Sequence, residues 1–143
     1  MITVSQILQD KGYQVWTIAP QTAVYEALKL MADQGIGALV VVDAGKVVGI
    51  FSERDYARKV ILKGRSSKVT PVSKIMTAYV ITVDPATTVE VCMSLMTDRH
   101  IRHLPVMEAD HLVGLISIGD VVKMIISEQS NLIEHLENYI VGR

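Results

Sequence analysis

Apolar residues along the chain fall into short blocks whose spacing alternates between strand-like and helix-like periods. Ala38 to Val42 is an unbroken, largely β-branched run, and Val47 to Phe51 is a second, with Asp43-Ala44-Gly45-Lys46 between them. Runs this short, bounded by turn residues, predict buried strands joined in a hairpin. Ahead of them Val24, Ala27, Leu28 and Met31 recur at helical spacing until Gly35 stops the pattern, which predicts a helix. Thr22 stands where its N-cap hydroxyl belongs. Val15 to Ile18 reads as a short strand ended by Pro20, which lacks the amide a ladder requires. A further helix is predicted from about Arg54 to Leu62. The order is β-α-β-β-α.

That order occurs twice. Displaced by 65 positions, Thr17–Ile61 falls on Thr82–Ile126 without a gap, and 16 of the 45 positions are identical. Ordinary composition would give roughly three or four. Val4-Ser5-Gln6-Ile7 also matches Val72-Ser73-Lys74-Ile75, at a displacement three residues larger. The second copy therefore predicts strands at Val80–Val83, Leu104–Met107 and Leu112–Ile116, a helix at Val89–Met96 and another after Gly119. The predicted fold is α+β: one unit over residues 1–68 with an N-terminal helix, and one over residues 69–143 with a long C-terminal helix. Gly64 to Pro71, rich in Ser and Lys, is the linker. Units of about 60 residues bury too little apolar surface alone, so the copies are expected to pack together about a pseudo-twofold axis. The last helix carries Val121, Met124, Ile125, Leu132, Ile133, Leu136 and Ile140, more apolar surface than one unit uses. It either meets a second subunit, giving a homodimer, or folds back over its own sheet.

Composition narrows the class of protein. The chain has 143 residues, 50 % apolar and 20 % charged, which supports an ordered core and argues against disorder. Fourteen Lys and Arg against fifteen Asp and Glu leave a formal net charge of −1, the signature of neither a nucleic-acid-coating protein nor an acidic tail. Cys92 is the single cysteine, so no intramolecular disulfide forms and a reducing cytoplasm is expected. Met1 to Asp10 lacks the basic start and apolar run of a signal peptide. No apolar stretch approaches the roughly 20 residues of a membrane span.

The densest chemistry lies in Gly49-Ile50-Phe51-Ser52-Glu53-Arg54-Asp55 and Gly114-Leu115-Ile116-Ser117-Ile118-Gly119-Asp120. Each segment ends a strand with a hydroxyl and places a carboxylate three residues later, in the first turn of a helix. Ser at N-cap with Asp at N3 can simply satisfy orphan amides. The same junction also offers free amides and the positive end of a helix dipole, a seat for an anion. Its carboxylate can accept two hydrogen bonds from a ribose diol.

Other patterns carry less. Arg54, Arg58, Lys59, Lys63, Arg65, Lys68 and Lys74 hold half of the Lys and Arg, but Tyr56 is the only aromatic among them. Base stacking is poorly supplied, so a solvated linker face is expected rather than a nucleic-acid surface. His100 and His103 straddle a helix end and a strand start with no further ligand nearby in sequence, so no metal site is expected. Cys92 aligns with Ala27 and reads as a small buried hydrophobe. Gly35-Ile36-Gly37 precedes a strand and fails as a dinucleotide loop. No nucleophile, base and orienting group stand in series, so no catalytic residue is assigned and no enzyme is expected.

The tandem unit, the two Gly-x-x-Ser-x-x-Asp endings and Ile101-Arg102-His103-Leu104-Pro105-Val106 resemble a pair of cystathionine β-synthase (CBS) domains, and in particular the stand-alone bacterial type. The resemblance spans nearly the whole chain. It implies two clefts between the copies, each taking an adenosine nucleotide: AMP foremost, with ADP, ATP or NAD as variants. It implies that Asp55 and Asp120 hold ribose hydroxyls, with Ser52 and Ser117 on the ribose or phosphate side. Thr17 with Ala19, and Thr82 with Asp84, would frame the adenine. Gly37-Ala38 and Arg102-His103, the latter followed by Pro105, would begin the strands facing the phosphates. Copy one is small there and copy two cationic, while Arg54 precedes Asp55 where Gly119 precedes Asp120, so two non-equivalent sites are expected. Arg58, one turn beyond Asp55, reads as a solvated helix face. The two copies fill the 143 residues, leaving no catalytic barrel of the IMP dehydrogenase kind. The expected role is a regulatory module that signals nucleotide status to a protein partner by a conformational change. The alternative is a constitutive dimerisation scaffold without a ligand.

Overall fold

The computed structural model describes residues 1–141. Along the chain run α1 (Val4–Lys11), β1 (Thr17–Ile18), α2 (Val24–Gln34), β2 (Ala38–Asp43), β3 (Lys46–Ser52), α3 (Glu53–Tyr56), α4 (Val89–Arg99), β4 (His103–Glu108), β5 (His111–Ser117) and α5 (Ile118–Ile140). A π-helical stretch over Ala57–Ile61 extends α3, and a 3₁₀ turn covers Val72–Lys74. The fold is α+β, with a three-stranded sheet β1-β2-β3 and a two-stranded sheet β4-β5. It divides into two compact units, one of residues 14–82 with 109–112 and one of residues 1–13, 83–108 and 113 onward.

In the unit built on the first copy, β2 runs parallel to β1 and antiparallel to β3, with a bulge between Val41 and Val42. Ala44 and Gly45 turn the hairpin with φ of 51° and 79°, the left-handed pair whose twist matches the flanking strands. Leu39, Val40 and Val41 are fully buried, as an unbroken apolar strand requires. Helix α2 ends at Gly35 in the left-handed region (φ 64°). Its start differs from the expectation at Thr22: the N-cap is Ala23, and no side chain caps it. The amides of Val24 and Tyr25 donate instead to the carbonyls of Thr70 and Ser67 (2.9 and 2.8 Å), so linker backbone does the work of a hydroxyl.

In the unit built on the second copy, Thr88 caps α4, its hydroxyl accepting from Val91 N. The strand expected at Val80–Val83 does not form. Val83 alone makes a parallel bridge to Val106, because Asp84 turns the chain immediately, its carboxylate accepting from Ala86 N at 2.8 Å. Helix α5 is 23 residues long. Val121 is buried, but Ile126, Leu132, Ile133, Leu136, Tyr139 and Ile140 are 49–80 % exposed. Its distal half therefore does not fold back over the sheet.

The two units exchange their leading segments. Val72 and Ile75 enter the core of Val24, Ala27, Met31, Leu39, Val41, Phe51 and Val60, and Val72 N and Ser73 N donate to Thr22 O and Pro20 O. The counterpart bonds run from Val4 N to Thr87 O and from Ser5 N to Pro85 O. Val4, Ile7 and Leu8 are buried in the unit that also buries Val89, Cys92, Met96, Leu104, Val106 and Ile116. A division at residue 68 follows the repeat along the chain, whereas the compact units divide near residues 13 and 82. Two hydrogen bonds and two or three buried apolar residues per segment account for the difference.

Candidate functional site

Both Ser-x-x-Asp segments form capping boxes at strand-to-helix junctions. At the β5–α5 junction Ser117 takes extended backbone (φ −108°, ψ 165°). Its hydroxyl accepts from Asp120 N at 3.1 Å, while Asp120 Oδ2 accepts from Ser117 N at 2.8 Å. At the β3–α3 junction the hydroxyl of Ser52 accepts from Asp55 N at 3.3 Å, and Asp55 Oδ2 accepts from Ser52 N at 3.0 Å. Reciprocal satisfaction of two orphan amides is the physical reason both helices begin where they do.

Beyond the box the two carboxylates differ. Asp55 is nearly enclosed, its side chain 11 % exposed, and Oδ1 accepts from Thr77 Oγ1 at 3.3 Å and forms an ion pair with Lys59 Nζ at 3.2 Å. Asp120 is 23 % exposed and takes Lys11 Nζ on the same Oδ2 that serves the box, at 2.6 Å. Asp120 Oδ1 has no hydrogen-bond partner among the described residues. One junction thus holds a fully engaged carboxylate and the other a carboxylate fixed through one oxygen and open at the other. An open carboxylate oxygen accepts two hydrogen bonds, which is what a vicinal diol offers.

The starts of β2 and β4 lie against these junctions in the same way. Glu53 N donates to Gly37 O at 3.1 Å, and Ile118 N donates to Arg102 O at 2.9 Å. Gly37 and Ala38 are accordingly beside Ser52 and Asp55, and Arg102 and His103 beside Ser117 and Asp120. Arg102 is exposed, His103 half-buried and Pro105 buried. Arg54 sits half-buried in the first turn of α3. Thr17 and Thr82 are exposed and Ala19 is half-buried, all three outside the hydrogen-bond networks of the two carboxylates. Asp84 is committed to its own turn, accepting from Ala86 N and Thr87 Oγ1. A groove of about 360 Å³ lies at the C-terminal end of α2, lined by Leu28, Met31, Ala32, Gly35, Ile36, Gly37 and Glu53. Its lining is apolar save for Glu53.

Sequence reasoning missed Lys11, Lys59 and Thr77. Lys59 belongs to the expected linker face but sits four residues after Asp55, the spacing at which helical ion pairs meet, and pairs with it. Thr77 and Lys11 arrive on the exchanged segments, and Lys11 reaches a carboxylate 109 residues away. No local pattern could announce it.

Charge follows this geometry. Burial opposes ionisation of Asp120, but the hydrogen bond and charge of Lys11 together with the Ser117 amide outweigh it and hold the carboxyl below its ordinary range. His103 is shifted down from 6.5, first by burial and then by the Lys11 charge, with Asp120 pulling the other way. Cys92 is wholly enclosed and its thiol is pushed up to about 11 by burial. It is an inert core residue.

Among the described residues no helix is long and apolar enough to cross a membrane. The CBS domain signature matches this chain at residues 4–62 and again at 72–127. The mitochondrial CBS domain-containing protein CBSX3 of Arabidopsis thaliana is 43 % identical over an alignment covering 98 % of this chain and 72 % of the plant protein. A CBS-domain protein from Burkholderia ambifaria superposes with a TM-score of 0.85 at 53 % identity, over 89 % of this chain and 96 % of the other. The CBS domain pair of protein MJ0100, solved with 5′-methylthioadenosine and S-adenosyl-L-methionine, gives a TM-score of 0.78 at 25 % identity, over 90 % of this chain and 98 % of that one. With both copies matched and these relatives alike over most of their length, the chain belongs to the CBS domain family.

Proposed function

We propose that this protein is a non-catalytic regulatory module that binds an adenosine nucleotide and passes nucleotide status to a protein partner by a shift between conformations. The observation that carries the reading is the carboxylate of Asp120, oriented by Ser117 and Lys11 with Oδ1 open and its side chain 23 % exposed. Such a group is ready to accept a ribose diol without first breaking its own bonds. The ligands of the MJ0100 pair share an adenosine moiety and differ beyond it, which favours adenosine as the common recognition element. AMP is the preferred candidate, with ADP, ATP and NAD as extensions of the same moiety. Asp55, with both oxygens engaged, is the weaker of the two sites.

Ligand at Asp120 would act on the first turn of α5, whose 23 residues extend about 35 Å at the usual helical rise. The exposed apolar face at the far end supports self-association as a homodimer. A ligand that binds one arrangement of such a dimer more tightly shifts the population toward it, and only that difference in affinity transmits anything. The competing reading, a scaffold without a ligand, draws on the same exposed face and takes both capping boxes as purely structural.

Calorimetric titration of nucleotide-stripped protein with AMP, ADP, ATP and NAD distinguishes them. Saturable binding by at least one, with an affinity of about micromolar order, is expected. A folded protein that binds none of the four is a scaffold.

A further inference from the structure

Lys11 does more at the β5–α5 junction than neutralise a carboxylate. An ammonium carries three N–H donors. Lys11 gives one to Asp120 Oδ2 at 2.6 Å and one to Leu115 O at 2.7 Å. The third has no partner among the described residues, and the side chain is 34 % exposed. The ammonium is therefore held from two sides with one donor left over, beside a carboxylate that also has one oxygen left over.

The surroundings add positive charge that Asp120 does not balance. The Arg102 carbonyl accepts from Ile118 N at 2.9 Å, which sets the Arg102 backbone beside the first turn of α5, and the Arg102 charge is felt at neighbouring His103. His103 follows, close enough to Lys11 and Asp120 to feel both charges. At the other junction the matching positions are Gly37 and Ala38, and Lys59 is placed by Asp55 and by Ile75 O on its own side. Both junctions carry cations, Arg54 and Lys59 at one and Lys11 and Arg102 at the other, but an open carboxylate oxygen stands beside the ammonium only at Asp120.

We propose that Lys11 is a specificity-determining residue of the Asp120 site, its uncommitted N–H together with Arg102 selecting ligands that carry a phosphoryl anion next to the ribose over the neutral nucleoside. This rests on the reading of Asp120 as the ribose-binding carboxylate. Asp120 and Lys11 then divide the ligand between them: the open carboxylate oxygen takes hydroxyl donors, and the spare ammonium donor takes an anionic oxygen. Charge-assisted hydrogen bonds to an anion are about twice as strong as neutral ones, so the selection is large enough to measure.

The test compares AMP and adenosine by calorimetry on wild type, Lys11→Gln and Lys11→Arg, following the binding component that Asp120→Ala removes. Wild type is expected to prefer AMP by about tenfold or more. Lys11→Gln should weaken AMP more than adenosine and so erase most of that preference, and Lys11→Arg should keep it. Equal affinity of wild type for the two ligands overturns the assignment. So does an equal loss for both in Lys11→Gln, which would make Lys11 a positioning residue for Asp120 alone. If the folded wild type binds neither ligand, the ribose reading of Asp120 falls and takes this inference with it, a result distinct from equal binding. Should Lys11→Gln fail to fold, the wild-type ratio in rising salt decides. A ratio that falls supports the charge reading, and one that is independent of salt overturns it.

Discussion

Asp55 and Asp120 occupy equivalent positions in a repeated sequence and have unequal chemistry, because what completes each site arrives from elsewhere in the chain. Thr77 and Lys59 both meet Oδ1 of Asp55, whose Oδ2 already serves Ser52, while Lys11 joins Ser117 on Oδ2 of Asp120 and leaves Oδ1 open. The same neighbours set a pH dependence. His103 has a folded pKa below its ordinary 6.5, so on acidification the unfolded chain takes up a proton that the native state resists, and stability falls from about that pH downward. Asp120 has a depressed pKa, so its contribution is present above the ordinary carboxylate value and is lost as pH falls through the folded value. Both act in the same direction. Urea unfolding between about pH 8 and pH 5 should show wild type losing stability on acidification and His103→Asn losing less over that range. Parallel curves for the two proteins would contradict the assignment. Ser52, Asp55, Ser117 and Asp120 were legible because a capping box is a three-residue pattern. Lys11 was not, since its partnership depends on chain folding over more than a hundred residues.

At the scale of elements, the helices and hairpins follow their local signals while the short first strands do not. Gly35, the Asp43–Lys46 turn and the apolar run of β2 each specify their geometry within a few residues. Thr22 and Val80–Val83 misled because the linker backbone replaced the cap and the Asp84 turn cut the strand short. Two glycines expose the packing between strands and leading segments. A Cβ on Gly114 would lie 2.7 Å from Cδ2 of Leu8, and Leu8 is only 1 % exposed with nowhere to move. A Cβ on Gly49 would meet the thioether of Met76, half-buried and flexible enough to withdraw. Gly114→Ala should therefore destabilise by about 1–3 kcal/mol and Gly49→Ala by clearly less, as read from chemical denaturation. Equal losses would contradict this packing. The distal face of α5 makes a separate claim: Leu132→Glu combined with Leu136→Glu should lower the mass seen in sedimentation without unfolding the chain. An unchanged mass would remove this face from any self-association.

At the scale of the molecule, a duplicated unit has been turned into two different ones by exchanging leading segments. The repeat was plain in the sequence, and so was the extra three-residue offset of Val4–Ile7 against Val72–Ile75. The exchange was not, because nothing local distinguishes a segment that packs on the core following it from one that packs on the other core. Only the paired bonds of Val4 and Ser5 with the Thr87–Pro85 turn, and of Val72 and Ser73 with Thr22–Pro20, reveal it. One consequence is the Lys11–Asp120 ion pair, since Lys11 reaches that carboxylate only by this exchange. The decisive measurement is calorimetric titration of AMP into nucleotide-stripped wild type, Asp55→Ala and Asp120→Ala. Loss of one binding component in Asp120→Ala, weakened by about 1–3 kcal/mol, with that component retained in Asp55→Ala, is the expected result. Undiminished AMP binding by a folded Asp120→Ala would contradict the assignment of the ribose to this carboxylate.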